Sequence, residues 1–116
     1  MRVEEIMSSP VVVVQPFIKV EYLKDLFSRK NINAVPVLES DGKIIGIVSS
    51  NDVAKCQDNN LLVEEIMTSY IHIVKKNNRV SDAAAIMVKH KIHHLVVMDE
   101  GQVVGMLSSF DILKTV

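Results

Sequence analysis

The chain has 116 residues, 48% apolar and 23% charged, which suits one compact body or two small units sharing a core and excludes a disordered chain. Thirteen basic against fourteen acidic side chains leave a formal charge of −1, and no block of like charge supplies the broad basic stripe of a nucleic-acid binder. A single cysteine, Cys56, excludes an internal disulfide and agrees with a reducing cytoplasm.

The opening "MRVEEIMSSP" lacks the apolar stretch of a signal peptide, and no segment approaches the length of a membrane span; a soluble cytoplasmic protein is expected. The β-branched run "VVVV" (11–14) has strand character. After it, Val20, Leu23, Leu26 and Phe27 fall on one face of a helix. "AVPVLE" and "KIIGIV" then read as two strands, joined by the glycine-bearing "SDGK" into an antiparallel hairpin. A second helix opens at Ser49 and Ser50. "CQDNNLL" (56–62) follows as a polar link.

The same order then returns. "VEEIM" stands at 3–7 and at 63–67, and an offset of sixty pairs Val14 with Val74, Val20 with Val80, Ile32 with Ile92 and Val37 with Val97. One residue drops out at the hairpin turn, after which Gly46 pairs with Gly105, Ser49 with Ser108 and Asp52 with Asp111. Such ordered identity is a tandem duplication. "IHIV" (71–74) takes the place of "VVVV"; Val80, Ala83, Ala84 and Met87 form the helical face, with Ser81 and Asp82 suited to its start. "HLVVMD" and "QVVGML" are the paired strands, joined by "DEGQ". Each half therefore reads β-α-β-β-α, a mixed α/β (α+β) unit that buries too little alone and is expected to share a core with its twin. The division expected is 1–56, a linker at 57–62, and 63–116.

The doubled stretch "GIVSSND" and "GMLSSFD" carries the candidate chemistry. A serine followed three residues later by an acid is close to a capping box, which satisfies backbone N–H groups at a helix start, and the aspartate suits the positive helix end. The same geometry also serves a ligand: a helix start and a serine hydroxyl donate to phosphate, while a carboxylate accepts from the two hydroxyls of a ribose. Gly46 and Gly105 sit inside strands, where glycine signals either a close approach, as by a flat base, or a bulge.

Other constellations weigh less. His90, His93 and His94 have helical metal-ligand spacing, but "HHLVVMD" begins a strand, so the helix ends before His93 and no acid or thiol completes the set. Lys75, Lys76 and Arg79 form a small basic loop, read as a solvated turn. No histidine or acid adjoins Cys56 in sequence, and no nucleophile is visibly activated, so an enzyme is not expected.

With "AVPVLE" and "LVVMD" preceding "GIVSSND" and "GMLSSFD", nearly the whole chain resembles a pair of CBS domains, the Bateman module. That resemblance implies a pseudo-twofold pair packed through its sheets, two clefts between the halves, and a homodimer. It further implies binding of AMP, ADP, ATP or S-adenosylmethionine to regulate a separate effector protein. The cleft-lining positions it implies are Ile47, Ser49, Asn51 and Asp52 in the first half and Met106, Ser108, Phe110 and Asp111 in the second. Phe110 offers no hydrogen bond to phosphate, unlike Asn51. "KIHHLVVMD" is similar to the segment of AMP-activated protein kinase gamma subunits in which a His-Arg pair faces phosphates; here His93 is followed by His94 in place of the arginine, a weaker and pH-sensitive partner. The matching residues of the first half, Asn33 and Ala34, are uncharged. The cleft holding Asp52, with His93 or His94 reaching into it, is the expected nucleotide site. The competing expectation is a structural dimerisation or protein-docking module whose clefts stay empty.

Overall fold

The computed structural model describes residues 1–116, and the chain divides into two compact units. One is Val12–Tyr70; the other joins Met1–Val11 to Ile71–Val116. These bodies differ from the sequence repeats, because each "VEEIM" segment lies in the unit built from the other repeat's hairpin.

In the Val12–Tyr70 unit the elements are α1 (Val20–Lys30), β1 (Ala34–Leu38), β2 (Ile44–Ser49), α2 (Ser50–Lys55) and α3 (Val63–Ile66). The helical face expected of α1 is buried at all four positions, against Val35, Val37, Val48, Val53 and Val63. α1 stops at Asn31, which adopts the left-handed conformation (φ 51°) that asparagine tolerates at a helix end. β1 and β2 pair antiparallel, with Val37 opposite Gly46 and then Leu38 opposite Ile44, so Ile45 is an extra residue and forms a bulge. The "VVVV" run is not a full strand. Only Val14 bridges, in parallel to Val37, and the prolines at 10 and 16 on either side have no N–H to extend a ladder.

The other unit contains a short 3-10 turn at Val3–Glu5, β3 (Ile73–Lys75), α4 (Val80–His90), β4 (His94–Asp99), β5 (Gln102–Ser108) and α5 (Ser109–Leu113). Here the leading run does form a strand: β3 lies parallel to β4, and β4 antiparallel to β5. Val3, Val74, Ala83, Met87, Leu95, Val97 and Leu107 make the core. The hairpin turn puts both Glu100 (φ 49°) and Gly101 (φ 78°) in the left-handed region, the mark of a two-residue type I′ turn. The first hairpin instead has only Gly42 there (φ 88°), in a turn longer by one residue. That difference is the single gap between the repeats.

"VEEIM" acts alike in both units. Glu65 accepts a hydrogen bond from the Leu62 N–H at 2.7 Å and Glu5 accepts one from the Arg2 N–H, so each glutamate closes the start of its own turn. Val63 donates to the Ile18 carbonyl (2.7 Å) and Val3 to the Asn78 carbonyl (2.9 Å). Each segment is thereby fastened to the loop ahead of a long helix, and both valines are fully buried. In the unit holding Val3, Lys76 also pairs with Asp99 at 3.1 Å and Glu4 at 4.0 Å. The hydrogen bond and charge of Asp99, with Glu4 adding to them, hold the Lys76 ammonium above the ordinary lysine range.

The rings of His72 and His90 meet with centroids 4.1 Å apart. Loss of water around its ring, then the charges of His72 and Lys89, hold His90 below the ordinary histidine range. A histidine lowered in the folded state takes up its proton first in the unfolded chain, whose value is about 6.5. Stability is therefore expected to be intact above that pH and to fall as pH drops toward the folded-state value. Thermal melts at pH 7.5 and 5.5 check this: the fall should be smaller in His90→Gln than in the natural chain.

Candidate functional site

β2 delivers Ser49 to the start of α2, and β5 delivers Ser108 to the start of α5. In the first, the Asp52 carboxylate accepts from the Ser49 N–H (2.9 Å) and hydroxyl (3.0 Å), both at Oδ2, while the Asp52 N–H donates to Ser49 Oγ (3.3 Å). In the second, Asp111 Oδ2 accepts from the Ser108 N–H (2.9 Å) and the Asp111 N–H donates to Ser108 Oγ (3.1 Å). Both capping boxes are formed. Yet each uses only Oδ2, so the other carboxylate oxygen keeps its acceptor capacity.

Asp52 is half-buried and lines a cleft of about 540 Å³ with Lys55, Cys56, Gln57, Asp58, Leu61 and Ile66. The segment read from sequence as a polar link thus forms one wall. Asp58 shapes it: its carboxylate accepts from the Asn60 N–H (3.0 Å), and its carbonyl from the Leu61 N–H and the Cys56 thiol.

The other candidate residues fall around these helix starts. Ile47 and Met106 are buried, and their backbones are engaged. Ile47 exchanges hydrogen bonds with Thr68 (3.0 and 2.8 Å), and Met106 with Ser8 (2.9 and 3.3 Å). Asn51 is exposed. Phe110 is 61% exposed, with the Lys114 ammonium 5.0 Å from its ring centroid, a cation–π contact. His93 is exposed, its Nδ1 3.3 Å from Ser109 Oγ, and its carbonyl accepts from the Ser109 N–H at 2.8 Å. His94 is half-buried and stands opposite Ser108 in the β4–β5 register. His93, His94, Ser108 and Asp111 are thus gathered at one end of their own unit. His90 closes α4 and His94 opens β4, so helical spacing does not carry through the three histidines, and no three His, Cys, Asp or Glu side chains come together as a metal-ligating group.

The glycines have a structural explanation. A Cβ at Gly46 would lie 2.6 Å from Met67 Sδ and 3.0 Å from the Thr68 carbonyl; at Gly105 it would lie 2.6 Å from Met7 Sδ and 3.0 Å from the Ser8 carbonyl. What approaches each glycine is the methionine that ends a "VEEIM" segment and the carbonyl of the residue after it, not a flat base, and the bulge sits beside it at Ile45 or Val104. Met7 with Ser8 and Met67 with Thr68 were missed from sequence, although their doubling was visible in the repeat. The cleft wall from Lys55 to Leu61 had no such signal.

The family model described as CBS domain matches residues 3–59 and 63–116. Among curated proteins, the chain is 34% identical over 123 residues to the CBS domain-containing protein MJ0729 of Methanocaldococcus jannaschii, covering 98% of this chain and 94% of that one. It is 32% identical over 114 residues to the L-aspartate semialdehyde sulfurtransferase of the same organism, covering 97% of this chain but spanning only 22% of that protein. Among solved structures, the CBS domain pair of protein MJ0100 in complex with 5′-methylthioadenosine and S-adenosyl-L-methionine superposes with a TM-score of 0.92 at 31% identity, covering 99% of this chain and 94% of that one.

Proposed function

Because the chain belongs to the CBS domain family as a tandem pair, we propose that it is a regulatory module that binds an adenosine-type ligand at Asp52 and acts on a separate effector protein. One observation carries this reading: Asp52 keeps one carboxylate oxygen outside its capping box while lining a cleft of about 540 Å³. A carboxylate that only accepts is matched to vicinal hydroxyls, each a donor. The similarity to a CBS pair solved with two adenosine compounds supports the ligand class. In the other unit Asp111 repeats the arrangement, and Ser108, His93 and His94 complete a second candidate position. Ile47 and Met106 shape these positions through buried side chains and backbone pairing, Ser49 through its hydrogen bonds with Asp52, and Asn51 and Phe110 flank them.

The competing reading is a docking or dimerisation module without ligand. It is favoured by the two completed capping boxes, which account for both aspartates structurally, and by exposed Val88, Phe110 and Leu113, which offer apolar area to a protein partner or a second copy.

Thermal melts with S-adenosylmethionine, 5′-methylthioadenosine, AMP, ADP and ATP separate the two. A ligand at one hundred times its Kd stabilises the folded state by about 2.7 kcal/mol, so at least one compound is expected to raise the melting temperature by several degrees. No shift with any of them at millimolar concentration would leave the docking reading in possession.

A further inference from the structure

We propose that the Asp52 cleft selects adenosine ligands whose 5′ substituent carries no phosphate, such as a thioether or a sulfonium. The proposal rests on the ligand-binding reading above and specifies which member of the class that site takes.

Two independent observations point this way. The first is the state of the α2 start. A helix N-terminus holds a phosphate through unpaired N–H groups, but here two of the first three, those of Ser50 and Asp52, are engaged. The Ser49 N–H is bonded to the Asp52 carboxylate, the Asp52 N–H to Ser49 Oγ, and the Ser50 N–H to the Asn33 carbonyl at 2.7 Å. The Ser49 hydroxyl donates to Asp52 Oδ2 and has no proton left for an incoming oxygen. The anion at this helix end is Asp52 itself, so a phosphate there would meet a carboxylate.

The second is the charge of the wall. Two carboxylates, Asp52 and Asp58, face one ammonium, Lys55, and the remaining lining is Cys56, Gln57, Leu61 and Ile66. The nearby Lys24 ammonium is bonded to the Asn59 side chain (2.6 Å) and the Cys56 carbonyl (3.3 Å) and is not part of the lining. A formal charge of −1 repels a phosphate dianion, tolerates a neutral thioether and attracts a sulfonium cation. Leu61 and Ile66 add apolar surface that suits an alkylthio group better than a phosphate chain.

Isothermal titration of the full chain with 5′-methylthioadenosine, S-adenosylmethionine, AMP and ATP at two salt concentrations tests the proposal. The expected result is binding of the two sulfur compounds at least ~10-fold tighter than AMP, with ATP weaker still. Added salt should narrow the gap by screening the repulsion. Asp58→Asn should also narrow it, by about threefold, by removing one lining charge. AMP or ATP binding as tightly as the sulfur compounds overturns this inference and leaves the adenosine-module reading intact. An unchanged preference in Asp58→Asn overturns the electrostatic basis assigned to it. No binding by any of the four overturns both readings.

Discussion

Asp52→Asn is expected to weaken adenosine-ligand binding about 10- to 100-fold while the protein stays folded. The amide oxygen can still accept from the Ser49 N–H and hydroxyl, so the capping box survives in form. What changes is the second oxygen, which becomes an NH2 group that presents donors to ribose hydroxyls. Hydrogen bonds to a charged partner contribute about 1.5–3 kcal/mol, which sets the size of the loss. Removing the negative charge from the positive end of α2 costs about 0.3–1 kcal/mol, a few degrees of melting temperature. Calorimetry and a melting curve on the same sample read both quantities. Unaltered affinity in this variant would mean that the carboxylate serves its helix alone. Asp111→Asn provides the matched measurement in the other unit.

Gly46→Ala is expected to be the most damaging small substitution for stability, at about 1–3 kcal/mol, the usual cost of forcing a methyl group into filled space. The new carbon would fall 2.6 Å from Met67 Sδ and 3.0 Å from the Thr68 carbonyl. The sulfur sits on a flexible side chain, but the carbonyl belongs to the bridge in which Thr68 and Ile47 exchange both hydrogen bonds. Adding Met67→Ala should therefore recover only part of the loss. Gly105→Ala should behave the same way against Met7 and Ser8. Denaturant melts of the single and double variants give the numbers, and complete rescue by Met67→Ala would show that the backbone contact is unimportant.

Much of the fold was legible because the duplication let each half check the other. Val20, Leu23, Leu26 and Phe27 declare their helix by spacing, and all are buried. The hairpins and both serine-led helix starts follow from local chemistry that needs no distant partner. What stayed hidden was non-local. "VVVV" has the composition of a strand, but only Val14 finds a neighbouring edge. "VEEIM" shows its glutamate cap, but nothing in five residues tells which hairpin it will cross. The glycines signalled close approach correctly, and their partner, a methionine more than twenty residues from Gly46 and nearly a hundred from Gly105, lies beyond any pattern.

For the candidate site the division is similar. Asp52 and Asp111 stand out by repetition, and both form their capping boxes through Oδ2 alone, which leaves the other oxygen of each carboxylate outside the box. The serine hydroxyls looked equally available. Only the hydrogen bonds show Ser49 Oγ both donating and accepting within the box. The cleft wall at Lys55–Leu61 depends on how the chain turns after α2, which propensity does not encode.

Val3 is fully buried among Val74, Leu95 and Leu107, and Val63 among Leu23, Val35 and Val48, so the opening valine of each repeat completes the core built on the other repeat's hairpin. A single repeat taken alone would thus lack the valine that closes its core. The exchange makes the protein indivisible at the polar stretch before Val63, the very point where its sequence looks most readily cut.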